Sequence, residues 1–580
     1  MKKLKSLIQE SIFLGIFTLL FVMVSCAQTK TDKIDKLLSA YSEYGNFNGS
    51  VLVAEKGEII YKKGFGMADM EWDIPNQANT KHRLGSITKQ FTAMLIVQLA
   101  SENKLDLQAP VSTYLPDYPK KNGDIITIHH LLTHTSGIPN FTSFPSYQDM
   151  QRNPYRPGEI VKFFADSALE FTPGSNFAYS NSGYILLGVL IEKITGKPYE
   201  QVLQEKILTP LKMVNTGYDH NRTNLKNRAS GYERNGRTFL NANYVDMTTP
   251  FSAGALYSTV EDLYLWDQAL YTDKLLPKKY MDLIFQKYIP TGERAGYGYG
   301  WFMDERPIGK SSDRIQTISH SGGINGFSTL ITRMPTEKSL VVLLNNTGGA
   351  PLNDMTIAIN GILHDKPYDF PKKSIAYALL DRIEKDGIDA ALKFYKEVKD
   401  SNGYYMNENE INSAGYELLQ SNKAREAAAV FKLNVEAYPK SFNTYDSYGE
   451  ALLALGNKPE AIENYKKSVQ LNPGNENGVR VLKDAGINTD ALLIKYTPEY
   501  LKLLEGEYVE TSRPVEWKIS FDVVNGILTG NDKGYRYKLY PVGEESFINP
   551  DDGASLVFNT KDKNAITLLL FEKFTFKKVN

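Results

Sequence analysis

The feature that most constrains the fold of this chain is an internal repeat in its second half. From about residue 375, Ala, Glu, Lys and Leu recur at helical spacing. Seven pairs of like residues lie 34 positions apart: Gly415 and Gly449, Leu418 and Leu452, Leu419 and Leu453, Glu426 and Glu460, Ala427 and Ala461, Phe431 and Tyr465, and Pro439 and Pro473. A fixed period of this length indicates a structural unit that is copied along the chain. The pattern predicts a helical domain at 375–490.

The repeat resembles the tetratricopeptide family, in which helix pairs stack and bury their small and aromatic positions. The resemblance implies two repeats over about 411–476. It also implies a surface through which a protein partner could be recruited. An ordinary helical bundle is the alternative.

Alternating apolar and polar residues predict strands on both sides of this region. The stretch "GSVLVAEKGEIIYKKGFGMAD" alternates about Lys56-Gly57 and is typical of a β-hairpin. "TISHSGGINGFSTLITRMPTEKSLVVLLNN" indicates further strands, and apolar helical segments lie between the two stretches. We therefore predict an α+β domain at 33–365 whose sheet joins its beginning to its end. Alternation about Asn525-Gly526 predicts a small antiparallel β domain at 498–580.

The first 26 residues have the pattern of an export signal. A basic start, "MKKLKSLIQE", is followed by the short apolar stretch "SIFLGIFTLLFVMV". Cys26, the only cysteine of the chain, comes directly afterwards. This arrangement resembles a bacterial lipoprotein cleavage site, which implies a lipid anchor at Cys26 and a periplasmic, membrane-attached protein. Ordinary cleavage before Gln28 is the alternative. In either case no disulfide is expected.

The charge balance excludes one class of partner. Lys and Arg number 66 and Asp and Glu number 67, a near-neutral balance that argues against nucleic-acid binding. His129, His130 and His134 lie near a helix end without cysteine or a dense carboxylate group, so neither a metal site nor a cofactor is predicted.

Two serines are each followed three positions later by a lysine, but their settings differ. Ser86 opens an apolar helical run, and Lys89 lies one turn further on the same face. Ser101 precedes Lys104 at the charged exit of that helix, which indicates a solvated position. A serine hydroxyl is a poor nucleophile until a base lies within hydrogen-bonding reach. The pattern favours Ser86 as nucleophile and Lys89 as base, and gives Ser101 no such role.

Two later motifs strengthen this hypothesis. Tyr179-Ser180-Asn181 precedes an apolar helix, and His320-Ser321-Gly322 lies on a predicted strand. In this order and at these distances the three motifs resemble the serine β-lactamase and DD-peptidase superfamily. The tyrosine of the second motif resembles the class C branch, as do "LLTHTSGI", "SAGALYST" and "GYGYGW".

The resemblance covers about 33–365 and implies roles for the matching residues. Tyr179 would act as a phenolate base or carry protons between Ser86, Lys89 and the leaving group. Asn181 would contact Lys89 and a substrate amide. The His320 strand, with Gly322, would lie beside the substrate, and the N–H groups of Ser86 and Gly323 would form the oxyanion hole.

One departure from the family pattern bears on the substrate. The third motif begins with His320 where the family pattern has lysine, and a histidine is mostly neutral at pH 7. Strong recognition of penicillin-type carboxylates is therefore in doubt, and esters, amides or D-peptides stay open as substrates. The sequence does not separate β-lactamase, peptidase and esterase activity. The expected function is an exported serine hydrolase acting through an acyl-enzyme. The alternative is a catalytically weak penicillin-binding-like or sensory protein whose repeats recruit a partner.

Overall fold

The computed structural model describes residues 28–510, 517–532, 534–563 and 565–579. The predicted signal peptide and Cys26 lie outside these residues, so export and lipidation stay predictions. The chain divides into two compact units, with the boundary between Pro371 and Lys372. The helical and β segments predicted as separate domains both fall in the second unit. Among the described residues, no helix combines the length and the apolar character that a membrane span requires.

The first unit is built on an antiparallel sheet of eight strands. In chain order these are β1 Gly49–Glu55, β2 Glu58–Phe65, β3 Ile289–Gly292, β4 Ala295–Tyr297, β5 Phe302–Pro307, β6 Arg314–Ile324, β7 Phe327–Met334 and β8 Ser339–Asn345. Their order in the sheet is β3-β4-β5-β6-β7-β8-β1-β2. β1 pairs with β8, with Gly49 opposite Asn345. The sheet therefore joins the beginning of the unit to its end, as the sequence predicted.

Alternation along β1 separates two apolar cores, because successive side chains of a strand point to opposite faces. Val51 and Val53 belong to the core that contains apolar residues of the helices Lys30–Glu43 and Leu352–Leu363. Leu52 belongs to the larger core, which contains the remaining helical part of the unit.

The larger core is formed with helices that the chain makes between β2 and β3. They are Thr88–Ser101, Val111–Tyr114, Lys120–Gly123, Ile128–Leu132, Tyr147–Met150, Pro157–Lys162, Asn181–Thr195, Tyr199–Leu203, Thr209–Leu211, Phe251–Gly254, Val260–Ala269 and Lys278–Ile284. Short strands accompany them at Met67–Asp69, Ile74–Pro75, His82–Arg83, Gly217–Tyr218, Tyr232–Asn235, Thr238–Asn241 and Leu256–Ser258. The helix Thr88–Ser101 is buried at every position from Thr88 to Leu99. Lys89, in the first turn of this helix, therefore lies in the interior of the unit, and Ser86 lies in the turn that leads into the helix.

The second unit begins with helices at Ile375–Asp386, Ile388–Val398, Glu408–Gln420, Ala424–Ala437, Phe442–Ala454, Lys458–Leu471, Glu476–Asp484 and Pro498–Leu504. The helices that begin at Glu408 and Ala424 recur 34 residues later, at Phe442 and Lys458. A Cβ atom on Gly415 would lie 2.5 Å from the Phe431 ring, so glycine allows the two helices of a pair to pack closely. The structure thus contains two helix pairs that repeat at an interval of 34 residues, while their membership of the tetratricopeptide family stays a prediction.

A barrel-like antiparallel sheet ends the second unit, in agreement with the predicted C-terminal β region. Its described strands are Gly506–Glu510, Lys518–Val524, Ile527–Asp532, Tyr535–Lys538, Tyr540–Gly543, Ser546–Ile548, Ser555–Asn559, Thr567–Leu570 and Phe574–Val579. The first of these strands pairs with the last, and the hairpin predicted about Asn525-Gly526 is present.

Candidate active site

Ser86 and Lys89 are in contact at the start of the buried helix. Ser86 lies in a single 3-10 turn, Gly85–Ile87, that leads directly into the helix Thr88–Ser101. The Lys89 side chain is fully buried, and its Nζ atom lies 2.9 Å from Oγ of Ser86. Nζ also donates to Oδ1 of Asn181 at 2.7 Å and to the carbonyl oxygen of Ala253 at 2.9 Å.

The surroundings of Lys89 favour its neutral form. Burial lowers the pKa of the Lys89 amine well below its usual value, because an apolar interior disfavours the charged ammonium. A neutral amine has two N–H donors and one lone pair. The oxygens of Asn181 and Ala253 accept the two N–H bonds, which leaves the lone pair facing the Ser86 hydroxyl. This is the arrangement that a general base requires.

The orientation of the Asn181 amide is fixed by a second asparagine. The backbone N–H of Asn181 donates to Oδ1 of Asn140 at 3.1 Å, so that atom must be an oxygen. Nδ2 of Asn181 then donates to the same oxygen at 3.2 Å and to Thr142 Oγ1 at 3.2 Å. Oδ1 of Asn181 must therefore face Lys89, as the predicted contact between the two requires.

Tyr179 lies beside Lys89 with its phenol buried. The Lys89 Nζ atom is 4.9 Å from the centroid of the Tyr179 ring. Burial raises the pKa of the Tyr179 phenol, and the nearby Ser86 hydroxyl offsets only part of this effect. The two hydroxyls are not aligned as a hydrogen bond, and the Tyr179 hydroxyl has no such partner among the described residues. The phenol is therefore protonated at neutral pH.

A chain of hydrogen bonds behind Tyr179 connects the second and third motifs. Ser180 N donates to Nδ1 of His134 at 3.1 Å, so the proton of that ring is on Nε2. Nε2 of His134 lies 3.2 Å from the Tyr297 hydroxyl, which lies 3.2 Å from Nε2 of His320. Nδ1 of His320 lies 2.6 Å from the Ser321 carbonyl oxygen, which can only accept, so Nδ1 must donate to it. Each donor thus meets an acceptor when both rings are neutral.

Burial keeps both of these histidines neutral. It lowers the pKa of His134 well below its usual value and, with the nearby Lys89, lowers the pKa of His320 to about 3. The His134 ring also packs on the Tyr179 ring, with the centroids 4.2 Å apart. The chain of bonds therefore holds Tyr179 from behind.

The structure corrects the predicted place of His320. Its side chain is only 2% exposed, and its ring centroid lies 6.0 Å from that of Tyr179. Side chains alternate between the two faces of a strand, so His320 and Gly322 lie on the buried face of β6 and Ser321 lies on its exposed face. A Cβ on residue 322 would lie 1.9 Å from the Leu84 carbonyl oxygen, which explains the glycine of this motif. His320 therefore lies beside Tyr179 and is not among the described residues that line the cavity.

Three of the predicted residues line one cavity of about 440 Å³, within the size range of ligand pockets. These are Ser86, Asn181 and Gly323. Their companions are Gly85, Phe141, Thr142, Tyr147, Gln148, Glu233, Pro250, Ala253, Gly254, Ile324, Asn325, Phe327 and Gly348. Lys89 and Tyr179 lie directly behind Ser86. The fold thus brings all three motifs together at this cavity.

Comparison with known proteins identifies the family of the first unit. A family model described as Beta-lactamase matches residues 34–363, more than half of the chain. The chain belongs to the beta-lactamase family. Penicillin-binding protein 4* of Bacillus subtilis (strain 168) is 31% identical over 364 residues, which are 60% of this chain and 79% of that relative.

Two solved structures of the beta-lactamase fold have names that indicate hydrolases. A D-amino acid amidase from Ochrobactrum anthropi SV3, complexed with L-phenylalanine, is 25% identical and has a TM-score of 0.51 over 58% of this chain and 98% of its own. A D-stereospecific amidohydrolase from Streptomyces sp. is 25% identical and has a TM-score of 0.50, over 57% of this chain and 98% of its own. The more specific class C assignment stays a prediction.

Several residues of this beta-lactamase-family site were not predicted from the sequence. His134 and Tyr297 lie in "LLTHTSGI" and "GYGYGW", which resemble family segments, so their positions were noticed but not their roles. Asn140 and Glu233 lie in segments without a motif. Of the histidines considered for metal binding, Nδ1 of His129 pairs with the Tyr299 hydroxyl. His130 caps its own helix through Thr127.

Proposed function

We propose that this chain is a serine hydrolase that acts through an acyl-enzyme on Ser86. The observation that carries the proposal is the 2.9 Å contact between Ser86 and a Lys89 amine whose pKa is lowered by burial. A neutral amine at this distance can accept the hydroxyl proton as the oxygen attacks.

The reaction begins with attack by Ser86 Oγ on the carbonyl carbon of an amide or ester, while its proton passes to Lys89 Nζ. The carbonyl oxygen becomes an oxyanion. We assign its stabilisation to the backbone N–H groups of Ser86 and Gly323, because both residues line the cavity. Removing one such donor typically costs about 10²–10³ in rate.

Collapse of the oxyanion breaks the bond to the leaving group, which takes a proton as it departs. Tyr179 fits the role of proton donor because its phenol is protonated and the neighbouring Lys89 can replace the proton. Of the two roles that the sequence left open, a proton carrier is thus favoured over a phenolate base. Water then attacks the Ser86 ester, releases the acid and regenerates the hydroxyl.

Amides and esters of D-amino acids are the substrates that we favour over penicillin-type β-lactams. The names of two similar structures specify D-amino acid amides and D-stereospecific hydrolysis. His320 is neutral and buried where lysine would supply a positive charge for a carboxylate.

Covalent labelling tests the proposal with a matched pair of variants. A fluorophosphonate probe should label the wild-type chain and Ser101→Ala equally, since the Ser101 hydroxyl only donates to the Gln98 carbonyl oxygen. Ser86→Ala should not be labelled. An unlabelled wild-type chain that is folded would exclude the hydrolase and favour a sensory or binding protein.

A further inference from the structure

The charge of the cavity wall is concentrated in one side chain. Of the residues that line the cavity in the described part of the chain, Glu233 is the only one with an acidic or basic side chain. Ser86 and Glu233 therefore face the same space of about 440 Å³. A substrate bound at Ser86 experiences a negative charge at this wall and no compensating positive charge from the lining.

The Glu233 carboxylate is held in position by the turn that follows the third motif. Gly326, in the turn between β6 and β7, donates its N–H to Oε1 of Glu233 at 2.8 Å. Backbone bonds from Tyr232 N to the Asn346 carbonyl oxygen, and from Gly348 N to the Tyr232 carbonyl oxygen, fix the neighbouring residue. The carboxylate is thus tied to the strand that carries Gly323.

Within the described part of the chain, the Glu233 carboxylate has no cationic side chain in an ion pair with it. The adjacent Arg234 side chain turns to the other side of its strand, where its guanidinium donates to Gly45 O and to Asn46 Oδ1. Glu233 is exposed, its Oε1 atom accepts the Gly326 bond, and its Oε2 atom lies beside Gly348, another residue of the cavity wall.

We propose that Glu233 is a binding site for a protonated primary amine of the substrate. The inference rests on the proposed function of Ser86 and narrows its substrates to amides or esters that carry a free amino group, such as amino-acid amides or peptides cleaved next to their amino terminus. A charge-assisted hydrogen bond from the ammonium to Oε2 orients the scissile carbonyl toward Ser86. The same charge repels substrates that carry a carboxylate in this position.

Paired substrates test the proposal on the purified full-length chain. D-alanine p-nitroanilide carries the amine, and its N-acetyl derivative does not. Glu233→Gln keeps the shape of the side chain and removes its charge. We expect kcat/KM for the amine substrate to fall about tenfold more than kcat/KM for the acetylated substrate, a modest effect because Glu233 is exposed. Glu261→Gln, which removes an acid paired with Lys62 outside the cavity, should leave both rates unchanged.

A binding measurement separates this inference from the proposed function. D-alaninamide is titrated by calorimetry into Ser86→Ala and into Ser86→Ala combined with Glu233→Gln. Binding that weakens about tenfold with the Glu233 change supports the amine site even if neither nitroanilide is cleaved. Equal binding by the two variants, or an unchanged substrate preference in Glu233→Gln, overturns the amine site. In that case fluorophosphonate labelling of Ser86 would still report separately on the hydrolase.

Discussion

The Nζ atom of Lys89 lies 2.9 Å from Oγ of Ser86, and no carboxylate of the described residues pairs with this lysine. The other two contacts of Nζ are neutral oxygens, of Asn181 and Ala253. The position thus disfavours the charged lysine that most proteins keep at the surface. The proposed catalysis by Ser86 depends on this neutral environment, because a neutral Lys89 amine can accept a proton and an ammonium cannot.

The pH dependence of acylation should follow Lys89. Below its lowered pKa the amine is protonated and has no lone pair, so the acylation rate falls as the pH is lowered through that value. Asn181→Asp places a carboxylate 2.7 Å from Nζ, which favours the ammonium and raises the pKa of Lys89. The acidic limb of the rate profile should move to higher pH. Once the pKa of Lys89 exceeds neutral pH, the acylation rate at neutral pH should fall about tenfold for each further unit by which that pKa rises.

Thr142→Val is the control for this change, because it removes one acceptor of the Asn181 amide without adding charge. Stopped-flow measurements of the acylation rate between about pH 5 and 9 give the acidic limb for all three proteins. An Asn181→Asp limb that coincides with the wild-type limb would exclude Lys89 as the base.

Tyr297→Phe should lower kcat more than it raises KM. The change removes the hydroxyl that connects His134 to His320, so the support behind Tyr179 is lost while the cavity wall is untouched. Small displacements of catalytic groups can cost on the order of a hundredfold in rate. Two buried imidazole nitrogens also lose a partner, which should lower the free energy of unfolding by about 1–3 kcal/mol.

Tyr299→Phe is the matched control, since its hydroxyl pairs with His129, which is not part of this chain of bonds. Steady-state kinetics on a neutral ester distinguish the two variants. The positioning role fails if Tyr297→Phe loses stability but keeps the kcat of the Tyr299→Phe protein.

Arg333→Met should destabilise the first unit strongly. Nε of Arg333 donates to Oδ1 of Asp267 at 2.5 Å, and both side chains are at most 2% exposed. Removing one partner of a buried ion pair leaves the other charge without compensation and costs about 3–5 kcal/mol. Lys278→Met, which breaks an exposed pair with Asp282, should cost no more than about 0.5 kcal/mol. Urea unfolding measures both, and similar midpoints for the two variants would contradict the prediction.

A chain that ends at Pro371 should keep Ser86 reactive. All residues of the site precede the boundary between the two units, and the eight-stranded sheet is complete by Asn345. Fluorophosphonate labelling should proceed at a rate within about twofold of the full chain, since no contact that orients Ser86 is removed. A chain that ends at Lys338 lacks β8, the partner of β1 and β7, and should not fold. A folded 371-residue chain that is not labelled would show that the second unit contributes to the site.

The sequence by itself predicted many of the helices and strands and the proximity of Ser86 and Lys89. Apolar spacing after Ser86 predicted a buried helix, and alternation about Lys56-Gly57 predicted the hairpin of β1 and β2. The 34-residue period predicted helices that recur at that interval. These features are local, because burial periodicity and turn chemistry are written in neighbouring residues.

Tertiary structure decided which distant side chains meet. His320 was expected at the cavity, but the register of β6 turns it inward, where Tyr297 of β4 joins it to His134. Glu233 reaches the cavity only because a short strand is bonded to the chain near Asn346 and to the turn at Gly326. The shift in the Lys89 pKa likewise comes from burial among elements far apart in the chain. The sequence shows which residue types occur in each helix or strand. Strand register determines which of them come into contact, and burial determines whether a side chain such as Lys89 is charged.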